Sequence, residues 1–338
     1  MTDSARASSL STPASLEALT ALVSDDLRAV NTTILASIKS DIPLIEQLAS
    51  HLIMAGGKRM RPSLTIAAAK LLEYIGERHI QLATCVEFIH TATLLHDDVV
   101  DASELRRGEA TANAVWGNEA SVLVGDFLLS RSFQMMVDDG SLDVLRVLAD
   151  ASATIAAGEV KQLTLKHQVD VAEEDYFDVI KAKTATLFAA ACELSAIAAE
   201  REDMRAPMRD FGMALGIGFQ LVDDALDYSG NAAELGKAIG DDWREGKATY
   251  PILHAYRHAS AQDKAWLESL FDEPGDSLEG EMLARTQRLL ESTNAIEATY
   301  QRAVQEAEKA LAILAQFPAS NARAALEQTV HFCIHRAS

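Results

Sequence analysis

His90-Thr91-Ala92-Thr93-Leu94-Leu95-His96-Asp97-Asp98-Val99-Val100-Asp101 reads as one helix, apolar along most of its length and closing on three carboxylates. A second copy of the carboxylate pattern, Asp223-Asp224-Ala225-Leu226-Asp227, follows Gly216-Ile217-Gly218-Phe219-Gln220-Leu221-Val222. At about 100° per residue, the first and last Asp of each motif fall about 40° apart and the middle one about 100° from the first, so all three are expected on one side of a helix. Like charges on an apolar background are unfavourable unless a cation or a solvated cleft relieves them. A lone acidic pentapeptide is more simply a solvated surface. The leading segments here suit a packed interior, so both acidic clusters are expected to look inward. Oxygen-only donors suit magnesium, which is commonly held by one or two carboxylates together with substrate phosphates and water.

The rest of the chain reads as helix as well. Of 338 residues only 7 are Pro and 17 Gly, 49% are hydrophobic, and no segment alternates convincingly with period two. Helices are expected at about 13–39, 41–55, 62–75, 79–102, 117–137, 142–166, 173–199, 205–229, 246–257, 277–313 and 317–335, giving an all-α bundle. Thr12 before Pro13 reads as a helix start, as does Pro62. Glycines and prolines at 56–57, 108, 230 and 274–275 mark loops. Residues 1–11, rich in Ser, Thr and Ala, read as a disordered segment before a single domain spanning 12–338. They lack the apolar core of a secretory signal, and no apolar run is long enough to cross a bilayer.

Three scattered cysteines, Cys85, Cys192 and Cys333, show no metal-ligand spacing and read as core residues of a protein in a reducing cytoplasm. The net charge of −20 argues against a nucleic-acid partner. Positive charge is nonetheless concentrated in three places: Gly56-Gly57-Lys58-Arg59-Met60-Arg61-Pro62, Arg106-Arg107-Gly108 just after the first Asp motif, and Gly236-Lys237 through Lys247 after the second. Paired glycines let backbone approach a ligand, a guanidinium matches phosphate oxygens, and the helix after Pro62 offers its positive end. Acid followed by base, twice over, is the combination that a metal-bridged diphosphate requires. His90 lies two helical turns before Asp97, about 20° away, and so points the same way.

Taken together, GGKRMRP (56–62), HTATLLHDDVVD (90–101), LRRG (105–108), GDFLLSRSFQ (125–134), Lys183-Thr184, FQLVDDALDY (219–228) and GKAIGDDWREGKATYP (236–251) resemble the motifs of the trans-isoprenyl diphosphate synthases. Within that family the chain is most similar to long-chain all-trans octaprenyl and decaprenyl synthases, over roughly residues 40–335. The resemblance implies the isoprenoid synthase fold, helices around a central cavity, in a cytoplasmic homodimer. It implies condensation of isopentenyl diphosphate onto an allylic diphosphate, with Mg2+ as cofactor, three ions per site, and Mn2+ able to substitute. Asp97, Asp98, Asp101, Asp223 and Asp227 match the metal ligands, with Asp98, Asp224 and Asp227 as weaker or water-mediated contributors. Lys58, Arg61, His90 and Arg107 match the isopentenyl diphosphate site; Arg106, Lys183, Thr184, Gln220, Lys237 and Lys247 match the allylic side. Asp97, Asp101, Asp223, Lys183 and Lys237 then carry the chemistry.

By the same resemblance Ala92 and Thr93, where short-chain members often carry bulky aromatics, leave open a path along the helix toward Ile89 and Phe88, with Phe133 deeper. The expected product has about forty to fifty carbons, suits a respiratory quinone side chain such as that of ubiquinone, and is released with peripheral membrane contact. A shorter-chain farnesyl or geranylgeranyl synthase is the alternative. A terpene cyclase would not need Lys58, Arg61 and Arg107, and a non-catalytic subunit would be expected to lack motif residues that are all present here. Glu109-Ala110 after LRRG and a tail with only Arg336 depart from the family pattern.

Overall fold

The computed structural model describes residues 15–54, 57–106, 108–228, 240–272 and 280–335. The expected disordered segment 1–11 and the helix start at Thr12-Pro13 lie outside them. The helices are α1 (Glu17–Ser37), α2 (Pro43–Met54), α3 (Met60–Leu71), α4 (Arg78–Val100), α5 (Ala112–Trp116), α6 (Asn118–Asp139), α7 (Leu142–Leu165), α8 (Glu173–Ile180), α9 (Thr186–Ala198), α10 (Glu202–Asp227), α11 (Asp241–Arg244), α12 (Tyr250–His258), α13 (Ala261–Asp272), α14 (Gly280–Ser292), α15 (Ala295–Leu314) and α16 (Asn321–His335). A π-helical turn, Lys181–Ala185, joins α8 to α9. The only sheet among the described residues is a hairpin of two-residue strands, β1 (Leu105–Arg106) and β2 (Glu109–Ala110). The fold is all-α.

α9 sets the centre. Its sequence, Thr-Leu-Phe-Ala-Ala-Ala-Cys-Glu-Leu-Ser-Ala-Ile-Ala, is apolar nearly all round, and every residue from Leu187 to Ala198 is buried. A helix with no polar stripe must be surrounded, and α3, α4, α7 and α10 pack about it. Two glycines one turn apart bring α10 in close. A Cβ on Gly212 would stand 2.4 Å from the Phe188 carbonyl oxygen, and one on Gly216 would stand 2.6 Å from the Ala185 Cα. Gly158 does the same for α7, where a Cβ would meet that of Ala182 at 2.5 Å. The helices that carry charged residues are therefore pressed against the π turn on both sides. Cys85, Cys192 and Cys333 are buried and unbridged, as expected of core residues.

Some element boundaries differ from the sequence expectation. The long helix expected over 277–313 is broken, because Asn294 takes φ 54 between α14 and α15, a conformation Asn tolerates better than most residues. The helix expected over 246–257 begins at Tyr250, and α13 was not anticipated. Its start signal is Ser260, whose hydroxyl accepts from the Asp263 amide at 3.2 Å.

Gly216→Val is expected to destabilise the fold by about 2 kcal/mol or more, because the added side chain meets backbone that cannot step aside. Urea unfolding of the purified variant checks this; a midpoint equal to that of the parent would show that the α10–π-turn contact is looser than described.

Candidate active site

The first basic cluster folds against the middle of α4. Glu87, His90, Thr91, Leu94 and Asp98 occur at helical spacing and form one wall of a cavity of about 150 Å³. Lys58, Arg59 and Arg61, Arg106, and the rings of Phe188 and Phe219 complete it. Arg61 donates from Nη1 to His90 Nε2 at 3.0 Å, with its guanidinium over the Phe188 ring, 4.7 Å to the centroid. The Lys58 ammonium sits 4.6 Å from the ring centre of Phe332 on α16. Arg59, at φ 44, is tied to the buried Glu87 by an ion pair, which fixes the turn from which Lys58 and Arg61 project. Lys58, Arg61 and His90 thus come together. Arg107 and Lys237 lie outside the described residues.

The middle Asp of each acidic motif is buried against side-chain partners of its own. Asp98 is fully buried and accepts from Arg106 Nη2 at 2.7 Å and Nε at 3.0 Å. Asn113 Nδ2, on α5, holds the Asp98 carbonyl at 3.2 Å, while Arg106 of β1 ties the hairpin to the end of α4. Asp224 is buried between the Tyr176 hydroxyl, 2.5 Å, and the Gln220 amide, 2.8 Å. Burial, with Asp242 and Asp223 adding to it, pushes the Asp224 carboxyl up to about 8 against these hydrogen bonds. Each middle carboxylate is thus taken up by a partner side chain, Arg106 for Asp98 and Tyr176 for Asp224. Arg106, expected on the allylic side, lines the cavity of Lys58, Arg61 and His90 because Asp98 draws it there.

The outer carboxylates remain. Burial pushes Asp97 up to about 7, with Lys183 and Arg106 opposing and Glu159 and Asp101 reinforcing the rise. For Asp101 burial is outweighed by Lys247 and Lys166, which hold its carboxyl below the ordinary range. Asp227 accepts from the amides of Asp241 and Asp242, both at 3.2 Å, and so caps the start of α11. Its two oxygens serve the backbone, whereas Asp223, one helical turn earlier, is half-buried. Among the described residues, no three His, Cys, Asp or Glu side chains form a ready-made cation cage.

The π turn links the two motifs. Lys183 donates to Gln162 Oε1 at 2.6 Å and pairs with Glu159 at 2.8 Å, both on α7, while its charge acts on Asp97 of α4. The next residue, Thr184, donates to Gln220 Oε1 at 2.8 Å, and Gln220 donates on to Asp224 of α10. Consecutive side chains therefore address opposite helices, which the wider π turn permits. Glu159, Gln162, Lys166 and Tyr176 were not anticipated. The spacing Glu159-x-x-Gln162-x-x-x-Lys166 puts polar groups on one α7 face and was the available signal. Ala92 and Ile89 lie in the core cluster with Phe88, whereas Thr93 is half-buried and donates to the His90 carbonyl at 2.8 Å. Phe133 packs against the same cluster.

The family model for polyprenyl synthetases matches residues 42–285. The chain is 44% identical over 325 residues to the octaprenyl diphosphate synthase of Escherichia coli, covering 95% of this chain and 99% of that one. Its structure resembles a polyprenyl synthase from Caulobacter crescentus complexed with calcium and isoprenyl diphosphate, with TM-score 0.91, 45% identity, and 96% and 98% of the two chains covered. It also resembles a decaprenyl diphosphate synthase from Rhodobacter capsulatus, with TM-score 0.90, 43% identity, and 96% and 100% covered.

A carboxyl raised from about 4 to about 7 on folding binds more protons in the native than in the unfolded state across that range, so it lowers stability progressively as pH rises through it. In chelator-treated protein, Asp97→Asn is therefore expected to raise the melting temperature more at pH 8 than at pH 5. Equal shifts at the two pH values would contradict the desolvation that raises Asp97.

Proposed function

Because the chain belongs to the polyprenyl synthetase family, we propose that it condenses isopentenyl diphosphate repeatedly onto an allylic diphosphate to give an all-trans chain of about forty to fifty carbons. It is a prenyltransferase. The observation that carries the reading is the pair of acidic helices joined through Lys183 and Thr184 beside the Lys58–Arg61–His90 cavity. That cavity is the isopentenyl diphosphate site, with Arg107 as a further cation. Lys183, Thr184, Gln220, Lys237 and Lys247 serve the allylic diphosphate. The octaprenyl and decaprenyl synthases among its relatives support the product length.

Asp97, Asp101 and Asp223 fit a hard divalent cation: all donors are oxygen, and Asp97 is a half-buried, partly desolvated carboxylate that a cation would relieve. Mg2+ there, three ions with Mn2+ able to substitute, would supply the charge that lets the allylic diphosphate leave. The remaining steps rest on the chain itself. Lys183, held beside Asp97 by Glu159 and Gln162, would turn from them onto the leaving oxygens when the diphosphate binds. Phe188 and Phe219 exclude water from the Arg61 and His90 side, which protects an allylic cation from capture. Asp98 and Asp224 act as positioning residues, for Arg106 and for Gln220. The alkene attacks the cation, and the proton lost passes to the released diphosphate.

Ala92, Thr93 and Ile89 border the path of the growing chain. Among the described residues no helix is long and apolar enough to cross a membrane; a cytoplasmic location, with peripheral membrane contact when product leaves, is part of the same proposal. Exposed Leu123 and Val137 on α6 and Val160 and Leu163 on α7 are apolar groups that a homodimer would cover. A respiratory quinone pathway such as ubiquinone synthesis would consume the product.

Incubation with labelled isopentenyl diphosphate and farnesyl diphosphate tests the reading. Asp97→Ala and Asp223→Ala are each expected to lower turnover by about three orders of magnitude, and a chelator to abolish it. Near-normal turnover in either variant would sink the metal assignment. Ala92→Phe is expected to shorten the product to about fifteen to twenty carbons while the first condensation stays fast. An unchanged chain length on mass analysis would remove Ala92 from the path.

A further inference from the structure

Asp101 is held by two ammonium groups that come from parts of the chain far apart in sequence. Lys166 at the end of α7 donates to Oδ1 at 3.0 Å, and Lys247 after α11 donates to Oδ2 at 2.8 Å. All three side chains are largely buried, so the pairs are screened far less than surface ion pairs. The two lysines are also mounted together. The backbone N–H of His167, next to Lys166, donates to the carbonyl of Gly246, next to Lys247, at 2.8 Å. Gly246, at φ 73, lies directly under the His167 ring, where a Cβ would stand 2.5 Å from Cε1. His167 itself takes φ 63. Two loops in left-handed conformations are thus stitched so that their lysines grip one carboxylate from both oxygens.

Two lysine ammoniums occupy the coordination that a divalent cation would take at Asp101. We propose that Lys166 is a further positioning residue of the allylic site, which orients Asp101 with Lys247 and sets a threshold for cation binding. A cation arriving alone must compete with two ammoniums. One arriving with a diphosphate does not, because phosphate oxygens give the lysines a new partner and release the carboxylate. Cation and allylic diphosphate would then bind together, and the first motif would stay charge-balanced between turnovers. This inference rests on the assignment of Asp101 to the metal site.

The test is Mn2+ binding to the full-length protein, read as free ion by electron paramagnetic resonance, without substrate and again with inorganic pyrophosphate. Without pyrophosphate, Lys166→Met is expected to bind Mn2+ at least about tenfold tighter than the parent, because removing a unit charge about 6 Å from a divalent ion gives that factor even in a water-like medium and more at a partly buried site. Lys166→Arg keeps the charge and should match the parent. With pyrophosphate present, the advantage of Lys166→Met should disappear. Unchanged or weaker Mn2+ binding by Lys166→Met, in protein whose circular dichroism matches the parent, overturns the inference. If neither protein retains Mn2+ even with pyrophosphate, the metal assignment itself fails, and this inference with it.

Discussion

Carboxylates gathered in a partly desolvated cleft repel one another, and the rest of the site is arranged around that cost. A buried carboxylate either finds a cation or takes up a proton, and the chain uses both outcomes. Asp98 and Asp101 are matched by Arg106, Lys166 and Lys247, whereas burial raises Asp97 and Asp224 toward neutrality. Asp97 is thus the position at which a bound cation would gain most, since Lys183, whose charge acts on it, is already committed to Glu159 and Gln162. Electrostatic demand and substrate charge are complementary, since a diphosphate brings the negative charge and its cations bring the positive.

Placement of these groups depends on close packing around a helix with no polar face. α9 must be enclosed, and Gly158, Gly212 and Gly216 remove the side chains that would hold α7 and α10 away from it. The π turn at the head of α9 is then within reach of both neighbours. Lys183 and Thr184, adjacent in sequence, can therefore serve opposite walls of the cleft. A change in the apolar core and a change in the charged cleft are coupled through this one turn.

Much of this was legible in the sequence, and the gaps have physical causes. Helical periodicity placed α4 and α10 and brought His90 into line with Asp97, because spacing along one helix is fixed by its geometry. The same geometry left open what a neighbouring helix would present. Asp98 and Asp224 were read with their motif partners, yet the packed structure gives each its own burial partner, Arg106 and Tyr176. Glu159, Gln162 and Lys166 were missed because nothing within α7 says that its polar face meets Lys183 and Asp101. The break at Asn294 was missed because α14 and α15 share a continuous helical pattern, and only the left-handed residue between them ends it.

The decisive measurement is anomalous diffraction from crystals grown with Mn2+ and pyrophosphate. Manganese peaks are expected in the cleft within bonding distance of Asp97, Asp101 and Asp223, with Lys183 and Lys247 turned onto the phosphate oxygens. Peaks bound instead to Asp98 or Asp224, or pyrophosphate held in the cleft with no manganese beside it, would contradict the view that the outer carboxylates exist to receive a cation.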